Sequence, residues 1–63
     1  MPRIRVEWLE GRTQEQREEL ARLITDAVVK VARVAPEAVT VVFQENPPHL
    51  MAKGGKMVSK HGL

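Results

Sequence analysis

Arg3 to Leu9 reads R-I-R-V-E-W-L, and Thr13 to Arg33 reads T-Q-E-Q-R-E-E-L-A-R-L-I-T-D-A-V-V-K-V-A-R. These two periods decide the fold. In the first stretch Ile4, Val6 and Trp8 alternate with Arg3, Arg5 and Glu7, the period of a strand with one buried face. In the second, Leu20, Leu23, Ile24, Ala27, Val28 and Val31 recur at spacings of three and four, an apolar stripe on a helix. Thr13 and Gln16 form a capping box: the threonine hydroxyl accepts from the Gln16 backbone N–H while the glutamine side chain reaches back. Glu15, Glu18 and Glu19 lie near the positive end of the helix dipole, and Lys30 and Arg33 near its negative end. The helix is expected from Gln14 to Arg33, about 30 Å long.

Between the two stretches, Glu10-Gly11-Arg12 breaks the alternation, with Gly11 free to take backbone angles closed to other residues. After the helix, Pro36 marks the end of the connection. Val39 to Glu45, V-T-V-V-F-Q-E, then has the β-branched and aromatic content of a second strand. Asn46-Pro47-Pro48 is expected to be irregular, since prolines cannot donate to a sheet ladder. Gly54-Gly55 signals a turn, with a short strand over Lys56 to Ser59. A strand, a crossover helix and a second strand make a right-handed βαβ unit with parallel strands. The expected fold is therefore α+β: a βαβ protomer with a C-terminal hairpin, residues 1–63 forming a single domain.

Such a unit does not close on itself. A 63-residue chain buries only about 60% of its unfolded surface. Small folds supplement their cores with disulfides, a metal or association. The chain has no cysteine, and His49 and His61 have no metal-ligand spacing. Val42 and Leu9 face away from the helix side, and both sheet edges are open. Assembly through the sheet is the expected remedy.

Composition excludes several function classes. The formal net charge is +2, and Trp8 and Phe43 are the only aromatics, far apart in sequence. That is an ordinary soluble surface rather than the basic block with interleaved aromatics of a nucleic-acid module. Nothing approaches the run of about 18 apolar residues in a membrane span, and no basic start followed by an apolar run marks a secretory signal. A cytoplasmic protein without nucleic-acid or membrane partners is expected.

Pro2 directly after Met1, the short strand, Leu9-Glu10-Gly11-Arg12-Thr13 and Glu15-Gln16 together resemble the start of 4-oxalocrotonate tautomerase and its small relatives. The likeness continues through the long helix, the valine-rich second strand and Gly54-Gly55, and covers nearly the whole chain. It implies dimers with a four-stranded sheet, usually joined as a homohexamer, and an isomerase that needs no metal or organic cofactor. The implied substrate is a small unsaturated carboxylate, a 2-hydroxy or 2-oxo acid of the kind met in aromatic degradation. An example of the reaction is 2-hydroxymuconate to 2-oxo-3-hexenedioate.

The resemblance assigns Pro2, exposed by removal of Met1, as the general base. An amino-terminal proline is a secondary amine. An ordinary α-amino group titrates at about 7.7–8.0, and burial or nearby cations such as Arg3, Arg5 and Arg12 would lower that value. A neutral amine accepts a proton and its conjugate acid returns it. Arg12 matches the family's arginine in L-E-G-R, whose planar fork suits a carboxylate or a developing dienolate oxygen. Leu9 and Met51 match positions lining the substrate pocket, with Met51 standing where the prototype has a phenylalanine.

Two departures bear on specificity. The prototype carries a second arginine early in strand two, where this chain has Thr40. Arg3, Arg5, His49 and Lys53 are the available replacement cations, and no motif singles one out. Relatives that hydrate haloacrylates need a late-loop acid, and Ala52 and Lys53 occupy that neighbourhood, which weakens a dehalogenase reading. The missing arginine also motivates a second reading, a noncatalytic subunit that assembles with an active paralogue.

Overall fold

A computed structural model describes residues 1–58. Strand β1 (Arg3–Leu9) leads to helix α1 (Gln14–Ala32), a short 3-10 turn (Pro36–Ala38) and strand β2 (Thr40–Asn46). A second 3-10 turn (Pro48–Leu50) precedes β3 (Ala52–Lys53) and β4 (Lys56–Met57). Strands β1 and β2 pair in parallel with Arg3 opposite Thr40 and Leu9 opposite Asn46, while β3 and β4 form an antiparallel hairpin. The expected architecture is present.

Both ends of α1 follow from named residues. Thr13 Oγ1 accepts from the Gln16 N–H at 3.1 Å, and Gln16 Oε1 accepts from the Thr13 N–H at 3.0 Å. This reciprocal pair satisfies two of the helix's unpaired donors. At the other end the helix stops one residue short of expectation. Arg33 is left-handed, φ 59°, and its N–H donates to the Val29 carbonyl at 2.9 Å. Two residues on, Ala35 precedes Pro36 and is extended, φ −71° and ψ 148°, because the proline ring disfavours helical angles before it.

Strand β2 is likewise displaced by one residue. Val39 caps the 3-10 turn, its N–H donating to the Pro36 carbonyl at 3.1 Å, so the ladder begins at Thr40. Asn46, expected to be irregular, is the last strand residue, and its carbonyl accepts from the Glu10 N–H at 3.0 Å. Its side chain donates to Glu7 Oε2 at 3.0 Å. The Gly54-Gly55 turn has φ values of 62° and 82°, the positive pair that a two-residue hairpin needs. Of the strand expected over Lys56 to Ser59, Lys56 and Met57 are paired, and Ser59 lies outside the described residues.

Ile4, Val6 and Trp8 share one sheet face with Val41, Phe43 and Glu45, and that face looks towards α1, whose Arg17 reaches Glu45. Trp8 and Phe43 stack diagonally with centroids 5.5 Å apart and an interplanar angle of 24°. Leu9 and Val42 fall on the opposite face with Arg3, Arg5 and Glu7. Yet no described residue is buried, apolar or polar. Extents of 41 × 24 × 13 Å explain why, since the smallest dimension holds one sheet and one helix and nothing encloses either. Leu23 is 49% exposed and Val31 81%. They line one flank of α1, beside open grooves of about 510 Å³ (mixed in character, with Arg12, Glu15 and Glu19 beside Trp8, Leu20 and Leu23) and 380 Å³ (Ala27, Val28, Val31, Ala32).

Candidate active site

Pro2 sits half-buried at the start of β1, and its carbonyl accepts from the Thr40 N–H at 3.0 Å. Met1 precedes it and is 96% exposed, which makes the Pro2 nitrogen a tertiary amide in this form. Leu9 lies at the far end of the same strand, half-buried and paired with Asn46. Arg12 follows after Gly11, whose φ of 116° turns the chain sharply off the strand. Met51 ends the second 3-10 turn, half-buried, with its N–H donating to the Pro48 carbonyl and its carbonyl accepting from the Val58 N–H.

Seven residue steps at about 3.3 Å each put some 23 Å between Pro2 and Leu9. Pro2 and the Leu9–Arg12 segment therefore stand at opposite ends of one protomer. The fold gathers Leu9 and Arg12 at one end and holds Pro2 apart from them. The position of Thr40 matters here, because it is hydrogen-bonded to Pro2 itself. Among the replacement cations, Arg3 is directly opposite Thr40 on the same sheet face, and Arg5 follows two residues along it. His49 lies in the 3-10 turn beyond the other end of β2, and Lys53 in the hairpin; both are exposed.

Around Arg12 the structure shows a network that sequence reasoning missed. The Arg12 guanidinium carbon lies 5.1 Å from the centroid of the Trp8 ring. Trp8 Nε1 donates to Glu45 Oε2 at 2.9 Å. Arg17 grips the same carboxylate with Nε at 2.6 Å and Nη2 at 2.9 Å, and Nη2 also donates to the Arg12 carbonyl at 3.0 Å. Glu45, where the expected second strand ends, is the hub of this cluster. The available signal was the facing period: Trp8 and Glu45 sit on the helix-side face of their strands, and Arg17 is on the helical side that carries Ile24 and Val28.

Glu45 is held below the usual carboxylate range, first by the hydrogen bonds from Arg17, against partial desolvation, and then by the Trp8 N–H. Arg17 is correspondingly held protonated by Glu45, chiefly through the same hydrogen bonds. A carboxylate with a depressed folded value stabilises the fold fully above its unfolded value, about 4.3 for glutamate, and loses that contribution as pH falls through the folded value. Acid should therefore weaken the tie between the helix N-terminus and the sheet. Thermal melts followed by circular dichroism should show Tm of the native chain dropping below about pH 4.3, with a shallower acid limb in Glu45→Gln. Superimposable acid limbs would mean that the ion pair contributes nothing to stability.

Among the described residues no group of histidines and carboxylates is arranged to hold a metal ion, and no helix is long and apolar enough to cross a membrane.

Residues 2–61 match the family described as tautomerase enzyme. A probable tautomerase of Lactococcus lactis is 38% identical over 60 residues, covering 95% of this chain and 98% of that one. Among solved structures, TomN, a 4-oxalocrotonate tautomerase homologue in the tomaymycin biosynthetic pathway, superposes with a TM-score of 0.86. It is 37% identical and covers 90% of this chain and 88% of that one. A heterohexamer 4-oxalocrotonate tautomerase from Chloroflexus aurantiacus gives a TM-score of 0.85 at 36% identity, covering 92% and 94%. From Pro2 through the parallel βαβ unit and the terminal hairpin, this chain belongs to the tautomerase family.

Proposed function

We propose that the assembled chain is a keto–enol tautomerase acting on small unsaturated 2-hydroxy or 2-oxo acids, with the Pro2 amine as general base after loss of Met1. The observation that carries the reading is the family match, which begins at Pro2 and includes Arg12. The neutral amine takes the enol hydroxyl proton, electrons shift along the diene, and the ammonium returns a proton to the far carbon. Arg12 binds the carboxylate or the developing dienolate oxygen through paired N–H donors. Leu9 and Met51 supply apolar walls. A six-carbon diacid cannot span the distance from Pro2 to Arg12 within a protomer, so each site takes its proline and its arginine from different copies.

Processed chain should discharge the ultraviolet absorbance of 2-hydroxymuconate or of monocarboxylate 2-hydroxydienoates. Arg12→Ala should lower kcat/KM by about 10- to 150-fold, corresponding to the roughly 1.5–3 kcal/mol of a charged hydrogen bond. Helix content should be unchanged. Turnover of no dienol in the panel would remove the tautomerase reading, and unaltered kinetics in the variant would return Arg12 to the solvated surface.

A second reading has a specific motive. The Chloroflexus relative is a heterohexamer, and this chain has Thr40 beside Pro2 where the prototype carries an arginine. A noncatalytic subunit would purify with a second small chain and be inactive alone.

A further inference from the structure

Arg12 is fixed at both ends by one closed circuit. Its guanidinium lies over the Trp8 face, the indole N–H is anchored on Glu45, Glu45 is gripped by Arg17, and Arg17 returns to the Arg12 carbonyl. Phe43 stacks against Trp8 and limits its movement. The form of this support matters. An arginine held by a carboxylate would spend its N–H donors on that partner, whereas an aromatic face attracts the cation through its quadrupole and takes no donor. The Arg12 guanidinium makes no hydrogen bond or ion pair with another described residue. Glu45, whose charge Arg12 feels, is already occupied by Arg17 and Trp8, and Glu15 and Glu19, which line the same groove as Arg12, form no ion pair with it.

We propose that Trp8 is a positioning residue for Arg12, with Arg17 and Glu45 locking the indole in place, so that the guanidinium is preorganised yet keeps its donors for an incoming carboxylate. This rests on the reading that Arg12 binds the substrate. Arg17 has two duties in it: fixing the Arg12 backbone and keeping Glu45 from quenching the Arg12 charge.

Trp8 is the only tryptophan in the chain, so biosynthetic replacement with mono-, di- and trifluorinated tryptophan alters this ring alone. Fluorine drains the negative face while nearly preserving shape and the N–H. The KM for 2-hydroxymuconate and the Kd for adipate, a saturated dicarboxylate probe, should rise stepwise with fluorination, by about 2- to 30-fold in total. The same series in Arg12→Ala should be flat, and Trp8→Phe, which keeps an aromatic face, should retain more affinity than Trp8→Leu. Sedimentation and circular dichroism should be constant across the fluorinated series. A flat series in the native background, with Arg12→Ala still weakening both probes, would overturn the positioning role alone. An Arg12→Ala chain that binds both probes normally, or a native assembly that binds neither, would overturn the substrate-binding reading and the proposal together. Equal fluorine effects with and without Arg12 would make Trp8 a pocket wall and refute the proposal.

Discussion

If Pro2 is the base, chains that begin at Pro2 are expected to isomerise dienols, and chains that keep Met1 are expected to be inactive or nearly so. With Met1 attached, the proline nitrogen shares its lone pair with the Met1 carbonyl and has no useful basicity. General-base catalysis is typically worth about 10²- to 10⁴-fold in rate, so the two populations should separate by at least that much. The comparison is clean because Met1 is 96% exposed and Pro2 is tied to the fold through its carbonyl, not its nitrogen. Helix content of the protomer should therefore match in both forms, and the attached Met1 differs in capping the nitrogen and in occupying space beside it. Intact mass, correlated with rate across fractions, measures it. In the processed form the rate should fall on the acid side as the amine becomes protonated. Pro2→Ala leaves a primary amine, giving a large but incomplete loss. Equal turnover by the two forms would rule Pro2 out as the base.

The second large effect concerns assembly. Diluted far enough to dissociate, the chain should lose its helix signal together with its mass, because no described residue of the protomer is buried. Leu23, half exposed on the helix flank where it lines the larger groove, is the place to test this. Leu23→Asp forfeits about 1.5–3 kcal/mol of apolar burial per copy. In a two-fold contact that doubles, which weakens association by roughly two to four orders of magnitude, before the cost of desolvating the carboxylate. Sedimentation and circular dichroism over a dilution series should show the variant unfolding at concentrations where the native chain remains assembled. A variant or native chain that stays helical as a monomer would overturn the expectation.

Local structure was legible where one or two neighbouring residues suffice to set it. The capping box at Thr13 and Gln16, the glycine turn at Gly54-Gly55 and the alternation of β1 each depend on interactions within a few positions. The misplacements were boundaries: Arg33 closes the helix as a left-handed cap while Pro36 holds Ala35 extended, and Val39 caps a 3-10 turn that composition does not announce. Asn46 extends β2 because Glu10, remote in sequence, donates to it.

Periodicity and turn chemistry alone determined a βαβ unit with too little interior for its length, and the L-E-G-R-T segment after Pro2 identified its relatives. The Trp8–Glu45–Arg17–Arg12 circuit was decided only by the tertiary structure. Its partners are 28 and 37 residues apart in the chain and meet because the parallel register sets Trp8 opposite Glu45 while the helix phase turns Arg17 towards them. The separation of Pro2 from Arg12 is also tertiary in origin. It arises because an extended strand advances about 3.3 Å per residue, so residues only ten positions apart stand at opposite ends of the protomer and can share a site only between copies.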